Sequence, residues 1–274
     1  MDVRITVPAL RAHKVAGGRL PLVMVTAYDA PSARMVDEAG ADLILVGDSV
    51  AMVVLGYDDT LHVGVADLAH HTAAVARTLP RALVVTDMPW LSYHRDRADT
   101  VGNAGALVRA GAAAVKLEGG RSRVGMVEAL VDAQIPVMGH LGLTPQSVHV
   151  MGGFKVQARE EEAAKALVDD ARALVGAGVF AIVLEGVPAE AAAEVTNAVD
   201  VPTIGIGAGP HCDGQVLVFH DLLGLQDQLA PRFVRRYAEL KAEGVKALAT
   251  FASDVRTGAF PTSTESYHRS RPPR

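Results

Sequence analysis

Eight short apolar runs, with helix-like stretches between most of them, constrain this sequence more than any other feature. They lie at 20–29 (LPLVMVTAYD), 41–49 (ADLILVGDS), 82–89 (ALVVTDMP), 113–119 (AAVKLEG), 136–142 (PVMGHLG), 181–186 (AIVLEG), 201–209 (VPTIGIGAG) and 215–221 (QVLVFHD). Each reads as a strand buried on both faces. Ala-rich stretches with helical spacing run over 32–40, 66–78, 100–111, 124–134, 160–178 and 189–199. Gly40, Gly111 and Gly178 stand just before the next strand, where a helix C-cap belongs. Strands alternating with helices imply a parallel α/β sheet, and eight is the number that closes a (βα)8 barrel. An open, doubly wound sheet is the competing arrangement.

The length of 274 residues suits one such barrel, so a single domain over 1–274 is expected. Residues 1–18 read as a short extension covering the barrel bottom, 231–258 as one or two terminal helices, and 261–274 as a polar, mobile tail. Only 210–214 separates the last two runs, which is too short for a crossover helix. Two loops, 50–65 and 143–159, are longer than ordinary connections and contain Gly, as lids and binding surfaces do. Hydrophobic residues make up 50% of the chain and aromatics 4%, which calls for an aliphatic core. The net charge of −5, with no basic stripe, argues against a nucleic-acid partner. Cys212 is the lone cysteine, so a reducing, cytoplasmic location is expected. No signal peptide or membrane-spanning run is seen, and no membrane partner is expected.

The chemistry shows where the strands end: Asp48, Asp87, Glu118, His140 and Glu185 each close an apolar run. In a barrel these ends converge on one face, where active sites are built. A carboxylate there is costly unless partnered, and several together call for a cation. Oxygen ligands suit Mg²⁺, Mn²⁺ or Co²⁺. Lys116 and Glu118 stand two apart on one strand and share a side. Lysine there would pair with an anionic substrate or with the carboxylates. Other residues keep two readings open. Asp29 caps a helix or joins the site, and His140 is a site residue or a hydrogen-bonded structural histidine. His70 and His71, inside a predicted helix, read as structural or surface residues. The glycines of 205–209 (GIGAG) lack the following helix of a dinucleotide fingerprint and read as a place of close backbone approach. Cys212 reads as inert; Trp90 and Tyr93 flank a ligand or pack at the rim.

At these residues the chain resembles the ketopantoate hydroxymethyltransferase family. The resemblance rests on TAYD (26–29), LVGDS (45–49), GYDDT (56–60), VKLEGG (115–120), GHLGLTPQSV (139–148), GGFKVQAR (152–159), IGIGAG (204–209) and CDGQVLV (212–218). It implies a TIM barrel of the phosphoenolpyruvate/pyruvate type and a homo-oligomer, commonly a decamer. It also implies transfer of a hydroxymethyl group from 5,10-methylenetetrahydrofolate to 3-methyl-2-oxobutanoate, giving 2-dehydropantoate and tetrahydrofolate in pantothenate synthesis through a magnesium-stabilised enolate. By resemblance Asp48, Asp87 and Glu118 are the Mg²⁺ ligands, Ser49, Lys116, Asp48 and Asp87 contact the ketoacid, and Glu185 is the base. The chain departs from the usual family pattern at His62, Trp90, Ala158 and Gly186. Related barrels make or break C–C and P–C bonds in 2-oxo acids through similar enolates, which is the second enzymatic reading. A barrel that has lost catalysis and serves in binding or assembly is a third.

Overall fold

The eight apolar runs fold as eight parallel strands. They are β1 (Leu22–Thr26), β2 (Leu43–Val46), β3 (Leu83–Asp87), β4 (Ala114–Glu118), β5 (Val137–Gly142), β6 (Ala181–Glu185), β7 (Thr203–Ile206) and β8 (Gly214–Leu217). Each pairs with the next, and β8 returns to β1, so the sheet is a closed barrel and not an open, doubly wound one. This computed structural model describes residues 4–226 and 231–269. They fall into two compact units. The first runs to Phe219 and takes in Pro231–Val234; the second comprises the segment from His220 and the chain from Arg235.

Strand periodicity explains how the barrel positions its polar residues. Leu43 and Leu45 of β2, Leu83 and Val85 of β3, Ala114 of β4, Met138 of β5, Ala181 and Val183 of β6, and Ile204 of β7 belong to one buried cluster. Where a strand gives two members they are two residues apart, the spacing of one strand face. The same step leads from Val85 to Asp87, from Ala114 to Lys116 and Glu118, from Met138 to His140, and from Val183 to Glu185. The barrel interior is therefore apolar at its base and ionic at the C-terminal ends of the strands. Residues of the other parity lie on the opposite strand face: Thr86 Oγ1 is 2.8 Å from Thr72 Oγ1 of helix Val65–Ala76.

Helices Ala30–Glu38, Val65–Ala76, Arg97–Ala110, Val124–Asp132, Glu161–Ala177 and Ala189–Ala198 separate the strands from β1 to β7. Two start earlier than the apolar spacing indicates, because acidic caps open them. Asp29 accepts from the Ser32 amide at 2.8 Å and Asp96 from the Asp99 amide at 2.8 Å. Gly111 and Gly178 end their helices in the left-handed conformation, with φ of 116° and 103°. No helix intervenes between β7 and β8. Ahead of β1, helix Val7–Arg11 places Leu10 in the same buried cluster as Leu22, and Ile5 donates its amide to the Arg81 carbonyl at 3.0 Å. Residues 1–3 of the expected N-terminal extension, 227–230, and 270–274 at the end of the expected mobile tail lie outside the described residues. In the second unit one helix, Leu240–Thr257, stands where one or two were expected, with turns before it.

One glycine fixes the β5–β6 seam. Gly142 has φ 92°, and a Cβ there would lie 2.3 Å from the Glu185 carbonyl oxygen. Gly142→Ala should destabilise the protein by more than about 1 kcal/mol in chemical denaturation. Gly102→Ala, mid-helix with open space around it, should instead stabilise it by about 0.5–1 kcal/mol.

Candidate active site

Three buried carboxylates, one ammonium and one imidazole meet at the C-terminal end of the barrel. Barrel register makes this possible: Asp87 lies beside Lys116, and Glu118 beside His140. Lys116 Nζ is 2.9 Å from Asp87 Oδ1 and 3.1 Å from His140 Nδ1. His140 Nδ1 is 3.3 Å from Glu118 Oε1, and its Nε2 is 3.2 Å from Glu185 Oε2. The approach to Glu185 is an ion pair without hydrogen-bond alignment. Asp48 stands in the turn after β2, where its amide donates to Asp87 Oδ2 at 3.0 Å. Ser49 follows it, with Oγ 2.8 Å from the hydroxyl of buried Tyr28.

Burial and mutual repulsion set the protonation of these groups. Asp48 is pushed well above the usual carboxylate range by burial, then by the charges of Asp87 and Glu118. Burial works against the Lys116 ammonium, but Asp87, Glu118 and Asp48 outweigh it and hold its pKa above the usual lysine range. Burial and Lys116 likewise oppose a charged His140. The Glu118 and Glu185 carboxylates prevail and raise it to about 9, so the ring is cationic at neutral pH. The Tyr28 phenol is pushed up, chiefly by burial.

The predicted residues Asp48, Ser49, Asp87, Lys116, Glu118 and Glu185 thus gather at one barrel end, and His140 lies at their centre. Asp29 is a helix cap, and His71 is a structural residue whose Nδ1 is 2.7 Å from the Tyr28 carbonyl oxygen. Gly209, at φ 75°, marks a close backbone approach: a Cβ there would lie 2.4 Å from Ala189 Cβ. Cys212 is buried, which raises its thiol pKa and keeps it unreactive. Trp90 is 40% exposed. Tyr93 is fully buried and bonded into the site, so it does not merely pack at the rim.

Two contributors were missed from sequence, Gln146 and Tyr28. Gln146 sits in the turn Pro145–Ser147 after β5, where its amide donates to Glu118 Oε2 at 3.0 Å and its Nε2 to Asp48 Oδ2 at 2.8 Å. The position of Gln146 inside GHLGLTPQSV, at the start of a long loop, was the available signal.

The donor set suits a hard divalent cation. Asp48, Asp87 and Glu118 are all buried, and fully ionised they carry three negative charges; Glu185 makes four, against the two positive charges of Lys116 and His140. The raised pKa of Asp48 reflects its burial first and that excess of charge second, and a divalent ion among oxygen donors would relieve the excess. As placed, no three His, Cys, Asp or Glu side chains among the described residues form a ready ligand cage. The Lys116 ammonium and the Gln146 amide stand between the carboxylates.

Fold and site together define a closed (βα)8 barrel with an acidic, buried centre at the C-terminal ends of its strands. Solved structures of that shape include a phosphonopyruvate hydrolase in complex with oxalate and Mg²⁺, at TM-score 0.60 and 16% identity over 94% of this chain and 92% of that one. Another is a 2,3-dimethylmalate lyase, at TM-score 0.60 and 17% identity over 95% and 91%. The family model described as ketopantoate hydroxymethyltransferase matches residues 4–263, and the chain belongs to that family. Relatives named 3-methyl-2-oxobutanoate hydroxymethyltransferase share 58% identity in Methylobacterium sp. (strain 4-46), over 96% of this chain and 90% of theirs. The relative of that name in Moorella thermoacetica shares 56%, over 96% and 98%. No helix among the described residues is long and apolar enough to cross a membrane.

Because Lys116 is enclosed by carboxylates, removing its charge should be costly. In metal-free protein, Lys116→Met should lower stability by about 3–5 kcal/mol. Adding Asp87→Asn should recover part of that loss, measured by denaturant unfolding.

Proposed function

We propose that this chain transfers a hydroxymethyl group from 5,10-methylenetetrahydrofolate to 3-methyl-2-oxobutanoate, giving 2-dehydropantoate and tetrahydrofolate for pantothenate synthesis. One water is consumed, and its oxygen becomes the new hydroxyl. Family membership supports the reaction class. The observation that carries the division of labour is exposure: the Glu185 side chain is 16% exposed, against 4% for those of Asp87 and Glu118.

In this reading Asp48, Asp87 and Glu118 would hold a divalent cation, Mg²⁺ by resemblance, with Mn²⁺ and Co²⁺ as alternatives. When bound, such a cation polarises the ketone and stabilises negative charge on its oxygen. Lys116, kept protonated by its carboxylate neighbours, pairs with the ketoacid carboxylate, and Asp48 and Asp87 line the same subsite. The Ser49 hydroxyl, partnered by Tyr28, donates to the substrate carboxylate. Glu185 takes the proton from C3. Its Oε2 lies 3.2 Å from His140 Nε2 without hydrogen-bond alignment, which leaves its oxygens available for that proton. Both bonds from the methylene carbon to the folate nitrogens break as C3 and a water oxygen bond to it, and the proton from C3 and one from water end on the two nitrogens of tetrahydrofolate. We infer a cytoplasmic enzyme, in which Cys212 stays reduced. A homo-oligomer, a decamer by resemblance, belongs to the same reading.

Purified protein given both substrates and Mg²⁺ should release tetrahydrofolate, and chelation should abolish the release. No release with 3-methyl-2-oxobutanoate overturns the reading. Glu185→Gln should slow exchange of the C3 hydrogen with solvent by about 10²–10⁴-fold while leaving metal affinity intact. Exchange at the parent rate would remove Glu185 as the base.

A further inference from the structure

The turn after β5 carries a directed hydrogen-bond chain that the reaction itself does not require. We propose that Tyr93 and Gln146 are positioning residues. The Tyr93 hydroxyl fixes which way round the Gln146 amide lies, and that amide turns Asp48 and Glu118 into their cation-ligating aspect. The proposal rests on the reading that these carboxylates hold a divalent cation.

The direction of the chain follows from donor and acceptor counting. Tyr93 Oη lies 3.2 Å from the Glu118 backbone nitrogen, which can only donate. The hydroxyl proton is therefore free to go to Gln146 Oε1, 2.6 Å away. With its oxygen so engaged, Gln146 must present its NH₂ to the other side. There Nε2 donates to Asp48 Oδ2 at 2.8 Å and to the Met88 carbonyl at 3.0 Å, using both hydrogens. A flipped amide would set its carbonyl against two acceptors and its NH₂ against the hydroxyl. The backbone of the same glutamine donates to Glu118 Oε2 at 3.0 Å.

The consequence reaches two of the three carboxylates. Asp48 Oδ2 and Glu118 Oε2 are both held by Gln146, one by its side chain and one by its backbone, which directs Asp48 Oδ1 toward a shared ion together with Glu118 Oε1, whose neighbour at 3.3 Å is His140 Nδ1. Tyr93 and Gln146 are themselves buried, so water does not compete for these bonds. Neither contributes a carboxylate, and Tyr93 touches the ligand set only through Gln146 and the Glu118 amide. Partners of this kind orient ligands, and their loss typically costs about 10–100-fold in metal affinity.

The test is a double-mutant cycle on full-length protein, read as the Mn²⁺ dissociation constant by titration calorimetry without substrate. Tyr93→Phe removes one oxygen and keeps the ring; Gln146→Met keeps the length and removes both amide functions. Each should weaken Mn²⁺ binding by about tenfold or more. The pair should weaken binding by clearly less than the product of the two single effects, because Tyr93 acts chiefly through the Gln146 amide. Independent packing defects would instead multiply, and that outcome overturns the proposal, as does Mn²⁺ binding by Tyr93→Phe at the parent affinity. Thermal unfolding of each variant confirms that folded protein is compared; should Gln146→Met not fold, Gln146→Leu replaces it with the same expectation. A parent protein that binds no Mn²⁺ overturns the underlying reading and this proposal with it. A parent that binds, with variants that bind equally, overturns this proposal alone.

Discussion

Uncompensated negative charge, buried at one end of the barrel, is the constraint on which the rest of the site depends. A carboxylate inside a protein must be neutralised, paired or hydrogen-bonded. Each solution is visible around Asp48, Asp87 and Glu118. Lys116 supplies one ammonium, at 2.9 Å from Asp87. Backbone and side-chain amides supply hydrogen bonds, from Asp48 to Asp87 and from Gln146 to Asp48 and Glu118. Asp48 is pushed toward its protonated form by burial and by the charge that these leave unbalanced. The polar network around the cluster, including buried Tyr28 and Tyr93, answers the same demand.

The barrel makes that concentration of charge sustainable. Parallel strands step inward at every second residue, so an apolar layer and an ionic layer can share one set of strands. Val85 and Asp87, or Val183 and Glu185, differ only in height along the barrel. The fold pays for the ionic layer with the apolar one beneath it, built from Leu, Val, Met, Ala and Ile, with few aromatics.

That arithmetic is also why much of the fold and site was legible. A charged residue closing an apolar run is conspicuous in sequence, and eight apolar runs, most of them separated by helix-like stretches, define the barrel. Asp48, Asp87, Glu118 and Glu185 were found that way, while their separate roles came from resemblance. Gln146 and Tyr28 were not found, because an uncharged polar residue in a loop or strand end carries no periodic signal. Their partners, Glu118 and Asp48 for one and Ser49 for the other, are distant in sequence and meet only when the barrel closes. Helix starts were placed late for a similar reason: Asp29 and Asp96 cap through side-chain bonds that spacing alone does not show.

Two departures from the usual family pattern prove to be neighbours in space. Gln157 donates its amide to the Gly186 carbonyl at 2.9 Å, so the loop after β5 is tied to the segment leaving β6 beside Glu185. Ala158, where the family usually has Gly, takes φ 54°, a left-handed conformation that costs a residue with a Cβ about 1–2 kcal/mol. Gly186, where the family usually has a larger residue, takes φ 55° at little such cost. The strain that one position accepts is thus avoided at the other, across a single hydrogen bond. The side chain next along the chain from Gly186 is the more exposed carboxylate, Glu185. An unstrained, doubly hydrogen-bonded glycine therefore sits beside the group whose proposed task is to receive a proton, while the carboxylates proposed to hold a cation are met by a lysine and an oriented amide.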